Sequence, residues 1–326
     1  MSAPLKHFYA VQEDQPAQKW LAHAQAALPA YRQWFASEGE IKRPALADCR
    51  NALHTHMPEM VPLWERLLDL LQADDTTARL LSFYCPAVSK SGCSQAVWTR
   101  YAPTLVRNYD FVPGLCEGRV LHSAWHDTRV IASTDCLWGA LDGMNEQGLS
   151  VSMSFGGKDD VFPGFGIALI LRYVLEFCTT VDEAVKVLRR VPCHMAYNVT
   201  VLDAYGQVRT VEINPLCETS VATKPLAVNH QGEFELTQYA MVSNSHERHH
   251  AIMDKLCDPL CNVESFVNAF EYSPLYCTDH AHGMGTLYTA VYNPQRRAME
   301  LRWPRRQRMY QSFAHFEACD LWVELA

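Results

Sequence analysis

The sequence has no apolar run long enough to cross a membrane. Its longest, Phe165–Leu171, stops at Arg172 and falls well short of the roughly 20 residues that a transmembrane helix needs. Residues 1–15 carry charged side chains and lack the central apolar stretch of a signal peptide. We therefore expect a cytoplasmic protein with no membrane partner.

Metal-binding motifs are also missing. The sequence has no HEXXH motif and no CxxC pair, and the closely spaced Cys257 and Cys261 enclose a proline with no second pair to complete four ligands. His246, His249 and His250 lie at helical spacing and leave an imidazole site as the alternative. We expect no metal and no cofactor, and we expect the 12 cysteines to be mostly free, buried thiols.

Positive charge is in short supply as well. A formal net charge of −8 argues against a phosphate-binding surface, so we expect no nucleic-acid partner. With 48% hydrophobic and 20% charged residues, the 326-residue chain has ordinary globular composition. We expect one large domain or two small ones.

The periodicity of the apolar residues changes near residue 85. Before it, apolar residues recur every three to four positions, which predicts a helical unit over the first 80 or so residues. After it, the period shortens to two. The strands predicted there are 94–101, 104–111, 129–134, 148–155, 197–203 and 207–213, with a late hairpin at 287–292 and 299–303. Helices are predicted at 164–178 and 181–191, the second opened by a Thr180–Glu183 capping box. This order favours an α+β fold with layered αββα architecture.

The pair Gly92-Cys93 is the strongest chemical signal. A glycine before the bond to be cut lets the cysteine thiol approach the carbonyl without a Cβ in the way. Cleavage would free the α-amine of Cys93, whose ordinary pKa of roughly 7.7 to 8.0 suits a base for its own thiol. Arg107 and Asp110 follow one hairpin away. The pattern is that of a self-cleaving N-terminal nucleophile.

Several further segments follow in a fixed order. They are GCSQAVW from Gly92, LVRNYDF from Leu105, DGMNEQGLSVSM from Asp142, NVTVLDAYGQVRTVEINP from Asn198, VNH from Val228 and SNSHER from Ser243. Together they resemble the N-terminal-nucleophile (Ntn) hydrolases of the penicillin acyltransferase and choloylglycine hydrolase group. Upstream, HMPEMVPLWERLL resembles a prosegment helix of the acyltransferase branch. The resemblance implies a helical prosegment at 1–92 and a four-layer αββα catalytic domain at 93–326.

The resemblance also implies site roles. Asp110 would hold the freed α-amine, and Arg107 would lie near the sulfur and lower its pKa. Asn198 would donate to the oxyanion, with Ser154 or Phe155 at the second oxyanion position.

Arg248 would be an active-site arginine by the same resemblance, although a cation is unusual at the start of a helix. Other roles are open to each residue. Cys93 could be core filler, Asn198 a strand end, and Arg107 with Asp110 a surface ion pair. Strict strand alternation puts Arg107 and Asp110 on opposite faces, so a bulge or turn would be needed for both to reach the thiol.

These features predict a self-processed cysteine amidohydrolase or acyltransferase that acts on linear N-acyl amides through a thioester acyl-enzyme. Its partners would be a small-molecule amide and its own prosegment fragment. Two alternatives stand beside it: an unprocessed cysteine hydrolase with His230 as base, and a non-enzymatic binding protein. The acyl group, the amine and a possible homo-oligomer are left open.

Overall fold

The computed structural model describes residues 4–232, 238–304 and 307–325. Within these residues two β-sheets stack face to face and helices cover their outer faces. The strands are β1 (Leu5–Gln12), β2 (Gly92–Trp98), β3 (Thr104–Asp110), β4 (Arg119–Ser123), β5 (Val130–Asp135), β6 (Gly139–Asn145), β7 (Ser150–Phe155), β8 (Tyr197–Leu202), β9 (Val208–Ile213), β10 (Ser220–Ala222), β11 (Leu226–Ala227), β12 (Thr286–Asn293), β13 (Ala298–Arg302), β14 (Arg308–Ser312) and β15 (Cys319–Glu324).

One sheet has nine of these strands in the order β10-β9-β8-β7-β6-β5-β4-β1-β15, and the other has six in the order β11-β2-β3-β12-β13-β14. Neighbouring strands are antiparallel except β1 and β4, which run parallel. The αββα prediction is confirmed.

The helices are α1 (Gln18–Phe35), α2 (Leu46–His56), α3 (Val61–Leu71), α4 (Asp75–Leu81), α5 (Ile167–Phe177), α6 (Val181–Arg190), α7 (Gln238–Val242), α8 (Ser245–Cys257) and α9 (Val263–Ala269). Helix α5 is apolar on most faces and packs on β6, where Gly139 and Gly143 let Ala168 and Leu175 come close. Helices α8 and α9 cover the six-stranded sheet, with Ile252 and Phe266 in a second apolar core.

The region before Cys93 is helical from Gln18, as the periodicity predicts, but it opens with a strand. Strand β1 lies inside the nine-stranded sheet, between β4 and β15. The alternation in LKHFYAVQ places Phe8 and Ala10 in the core, while Leu5 stays exposed. The N-terminal segment is therefore part of the main sheet as well as a helical unit.

Candidate active site

Cys93 is the second residue of β2 and is fully buried. Its Sγ lies 3.2 Å from Arg107 Nη2 and 3.8 Å from Ser91 Oγ. Burial raises the pKa of the thiol, and the neighbouring Arg107 guanidinium offsets part of that rise. The thiol is thus held beside a cation and shielded from water.

Arg107 lies on β3, on the face that looks toward the nine-stranded sheet. Its Nε donates to Met153 O at 2.9 Å, and its Nη1 pairs with the buried Asp142 carboxylate. Asp142 also accepts from Tyr288 Oη at 2.9 Å. The guanidinium is thereby fixed between the sheets, with Nη2 directed at the Cys93 sulfur.

Asp110 lies on the opposite face of β3, toward the helices. It pairs with Arg248 Nη1 at 2.5 Å and accepts from Thr286 Oγ1 at 2.6 Å. Cβ placed on Gly92 would lie 3.1 Å from its Oδ2. Asp110 therefore adjoins the backbone of the Gly92-Cys93 pair.

The bulge that strict alternation requires is not in β3. Register between β2 and β3 is continuous from Gly92–Asp110 to Trp98–Thr104, and the irregularity falls in β12, between Thr286 and Tyr288. Arg107 reaches the thiol side chain, whereas Asp110 reaches the backbone end of the strand. The two faces of β3 therefore present Arg107 to the side chain of Cys93 and Asp110 to the backbone beside it.

Arg248 lies in the first turn of α8, and its side chain is buried. Burial disfavours its charge, but the Asp110 carboxylate outweighs that effect and raises the arginine pKa. This ion pair explains a cation at a helix N-terminus. Arg107 and Asp110 are buried and separately paired, so they are not the surface ion pair that was the alternative.

Asn198, on β8, directs its amide nitrogen to backbone carbonyls near residue 229. Its Nδ2 donates to Val228 O at 2.8 Å and to His230 O at 3.1 Å, and lies 3.4 Å from Ser154 Oγ. The Asn198 amide is thus hydrogen-bonded to the backbone carbonyls on both sides of residue 229.

Asn229, which the sequence patterns did not single out, lies beside Cys93. Its Oδ1 accepts from Cys93 N at 3.0 Å, and its Nδ2 donates to Phe155 O at 3.1 Å and Ser91 O at 3.3 Å. Its own N–H donates to Ser245 Oγ at 2.8 Å. The side chain spans the Gly92–Cys93 bond, and the VNH segment was the signal that could have drawn attention to it.

Residues 98–308, more than half of the chain, match the family described as acyl-coenzyme A:6-aminopenicillanic acid acyl-transferase. The chain belongs to this acyl-transferase family. The Ntn-hydrolase resemblance is confirmed, and the protein is an enzyme of the hydrolase and acyltransferase class.

Three solved structures with similar folds are 13–16% identical to this chain. A Caenorhabditis elegans ortholog of N-acylethanolamine-hydrolyzing acid amidase is 16% identical, covering 63% of this chain and 93% of its own, with a TM-score of 0.45. Penicillin V acylase from Agrobacterium tumefaciens is 16% identical, covering 72% and 92%, with a TM-score of 0.44. A mutant conjugated bile acid hydrolase from Clostridium perfringens is 13% identical, covering 70% and 96%, with a TM-score of 0.44. A sequence search of curated proteins gives no match.

The two second-oxyanion candidates of the acyl-transferase lie at the end of β7. Ser154 Oγ donates to Val228 O at 2.7 Å and accepts from Gln95 Nε2 at 3.3 Å. Phe155 is linked to Cys93 through Asn229, since its carbonyl accepts from Asn229 Nδ2 and Asn229 Oδ1 accepts from Cys93 N. Both residues help to hold the segment that carries Asn229.

His230, His246 and His249 form a cluster of neighbouring imidazole rings. His230 stacks on His246 with ring centroids 4.5 Å apart, and its Nδ1 lies 2.8 Å from Ser245 Oγ. Burial and the neighbouring His246 lower the pKa of His230 to about 4. In the described part of the chain, no group of three or more His, Cys, Asp or Glu is placed to hold a metal ion. In the same residues, no helix combines the length and apolarity that a membrane span requires.

Proposed function

We propose that the chain cuts itself between Gly92 and Cys93 and then acts as a cysteine amidohydrolase or acyltransferase on linear N-acyl amides. The observation that carries this proposal is the environment of Cys93: Arg107 at its sulfur, Asn229 at its nitrogen and Asp110 packed against the preceding glycine. The pieces would have 92 and 326 − 92 = 234 residues.

Cleavage begins with attack of the Cys93 thiol on the Gly92 carbonyl carbon. The peptide C–N bond breaks as the nitrogen takes a proton, which leaves a thioester between Gly92 and Cys93 and a free α-amine. Water then hydrolyses the thioester and releases the Gly92 carboxylate. Close packing of Gly92 against Asp110 and Met284 supports this assignment, because a Cβ there would lie only 3.0 Å from Asp110 Cβ and from Met284 Cε.

In turnover, the freed α-amine takes the thiol proton and the thiolate attacks the substrate amide carbonyl. Asp110, itself paired with Arg248, holds the amine, and Arg107 stabilises the thiolate. The leaving amine takes the proton back from the α-ammonium. The thioester acyl-enzyme then passes its acyl group to water or to another amine.

The side-chain donor to the oxyanion in this proposal is the Asn229 amide. Its Oδ1 accepts from Cys93 N, and its Nδ2 donates to Ser91 O, so the amide lies beside the Gly92–Cys93 bond where a donor is needed. Asn198, for which the family resemblance implies the donor role, would instead position Asn229 through the carbonyls of Val228 and His230. The preorganised amide is the kind of donor whose loss costs about 2.7–4 kcal/mol of barrier.

Intact mass spectrometry tests the proposal. We expect two wild-type fragments of 92 and 234 residues and a single intact Cys93→Ala chain. An uncut wild-type chain that hydrolyses N-acyl amides would instead support a separate base such as His230. Alkylation of Cys93 should abolish activity, and chelators should have no effect.

A further inference from the structure

A cavity of about 400 Å³ lies between the N-terminal segment and the catalytic sheets. At one part of its wall are Ser91, Tyr109 and Met153, each of which adjoins Cys93 or Arg107. Its volume falls within the range of small-molecule sites, and aromatic and aliphatic side chains dominate its lining. The cavity therefore extends to residues that adjoin the bond and the thiol of the proposed chemistry.

Helix α1 supplies one wall of this cavity along a single stripe. The stripe has i, i+3, i+4, i+7, i+8 and i+11 spacing, so its members share one helical face. They are His23, Ala26, Ala27, Ala30, Tyr31 and Trp34. The three alanines leave the space open, and the exposed Ala26, Ala30 and Leu115 mark where it meets solvent.

The acidic groups in the wall are already satisfied by protein donors. Glu117 pairs with His23 at 3.0 Å and accepts from Leu137 N at 2.7 Å and Tyr31 Oη at 2.9 Å.

Asp135 accepts from Tyr31 Oη, from Cys136 N at 3.0 Å and from Tyr109 Oη at 3.3 Å. A charged ligand group would have to displace one of these partners, at a desolvation cost. The wall favours a neutral, apolar occupant.

We propose that the α1 stripe selects the acyl group of the substrate, admitting neutral apolar acyl chains into the space that Ala26, Ala27 and Ala30 leave open. This inference rests on the proposed function for the identity of the substrate. It makes the N-terminal segment a specificity element of the working enzyme.

Binding to the uncut Cys93→Ala chain tests the inference without turnover. The probes are octanamide and 7-aminoheptanamide, which have the same length and differ in one charged end. By calorimetry, octanamide should bind at least tenfold more tightly than its charged analogue. Ala27→Phe should weaken octanamide binding at least tenfold, whereas Ala22→Phe, on an exposed face of α1 outside the cavity, should leave it unchanged.

Equal effects of the two phenylalanine variants, or equal binding of the two probes, would overturn the inference. Ala30→Leu provides a second filling variant if Ala27→Phe lowers the melting temperature. In the processed enzyme, Ala27→Phe should shift the preferred acyl length of N-acyl p-nitroanilides to shorter chains. An uncut wild-type chain would refute the proposed processing while leaving the binding result intact, so the two failures are distinguishable.

Discussion

At the residue scale, two asparagines 31 positions apart have linked places in the proposed oxyanion site. Asn229 touches Cys93, and Asn198 touches the carbonyls on either side of Asn229. We expect Asn229→Ala to lower kcat by about a hundredfold to a thousandfold, because it removes a preorganised donor. Asn198→Ala should have a smaller effect, about tenfold, since the backbone around Asn229 remains. Kinetics of both purified variants check this, and the reverse order would return the donor role to Asn198.

Gly92 gives a second residue-scale prediction. In Gly92→Ala, the added Cβ would lie 3.0 Å from Asp110 Cβ and 3.0 Å from Met284 Cε, so these side chains must give way by a few tenths of an ångström. We expect slower self-cleavage, followed as the fraction of cut chain over time. Gly114→Ala is the matched control, because nothing lies within 4 Å of a Cβ there. Equal cleavage rates for the two variants would contradict the close-packing argument.

Asp135 should make stability depend on pH. Burial, and then the Glu117 carboxylate, raise its pKa to about 7, against about 3.9 for an unfolded aspartate. Because the folded-state pKa is the higher one, this contribution is full below pH 4 and is lost as pH rises through 7.

Asp135→Asn should therefore gain stability relative to the parent as pH rises from 4 to 7, by up to about 1.4 kcal/mol per pH unit. Urea unfolding at pH 5, 6 and 7, in a Cys93→Ala background, measures this difference. Asp69→Asn, at an exposed position on α3, is the control and should stay parallel to the parent. Parallel curves for Asp135→Asn as well would refute the coupling.

At the element scale, helix α6 is held by a local device. Thr180 Oγ1 accepts from Glu183 N, and Glu183 returns a bond to the Thr180 N–H. We expect Thr180→Ala to cost about 1 kcal/mol of unfolding free energy, since it leaves a first-turn N–H without its cap. Thr55→Ala, on exposed α2, should change it by less than about 0.5 kcal/mol. Equal losses in both variants would mean that the cap contributes nothing specific.

Elements that depend on contacts between residues close in sequence are the ones that the sequence predicts. The capping box and alternating runs gave α6, β2, β3, β7, β8 and β9 close to their observed bounds. Strand β1 was missed because its eight residues stand beside a long helical pattern and depend on partners more than 100 positions away. Asn229 was missed for the same reason: its contact with Cys93 spans 136 residues. Short-range patterns carry no information about such pairings.

At the scale of the whole molecule, self-cleavage should not separate the two pieces. The 92-residue piece places β1 between β4 and β15 and lays α1 over the cavity. We expect both fragments to coelute in size-exclusion chromatography and to part only at the urea concentration where circular dichroism reports unfolding. Residues 93–326 expressed alone should fail to fold. Elution of a folded 234-residue piece by itself would contradict the shared sheet.

Strand β15 has β1 as its only neighbour in the nine-stranded sheet, within the residues that the structure describes. During synthesis, the edge of β1 that pairs with β15 therefore stays open until almost the whole chain has been made. A chain that ended before Cys319 would keep Cys93, Arg107, Asp110, Asn229 and Arg248, yet it would turn an interior strand into an open one. Unpaired strand edges recruit other chains. The C-terminal residues thus cover β1 and move the open edge to β15, whose exposed Asp320 and Glu324 disfavour pairing with another chain.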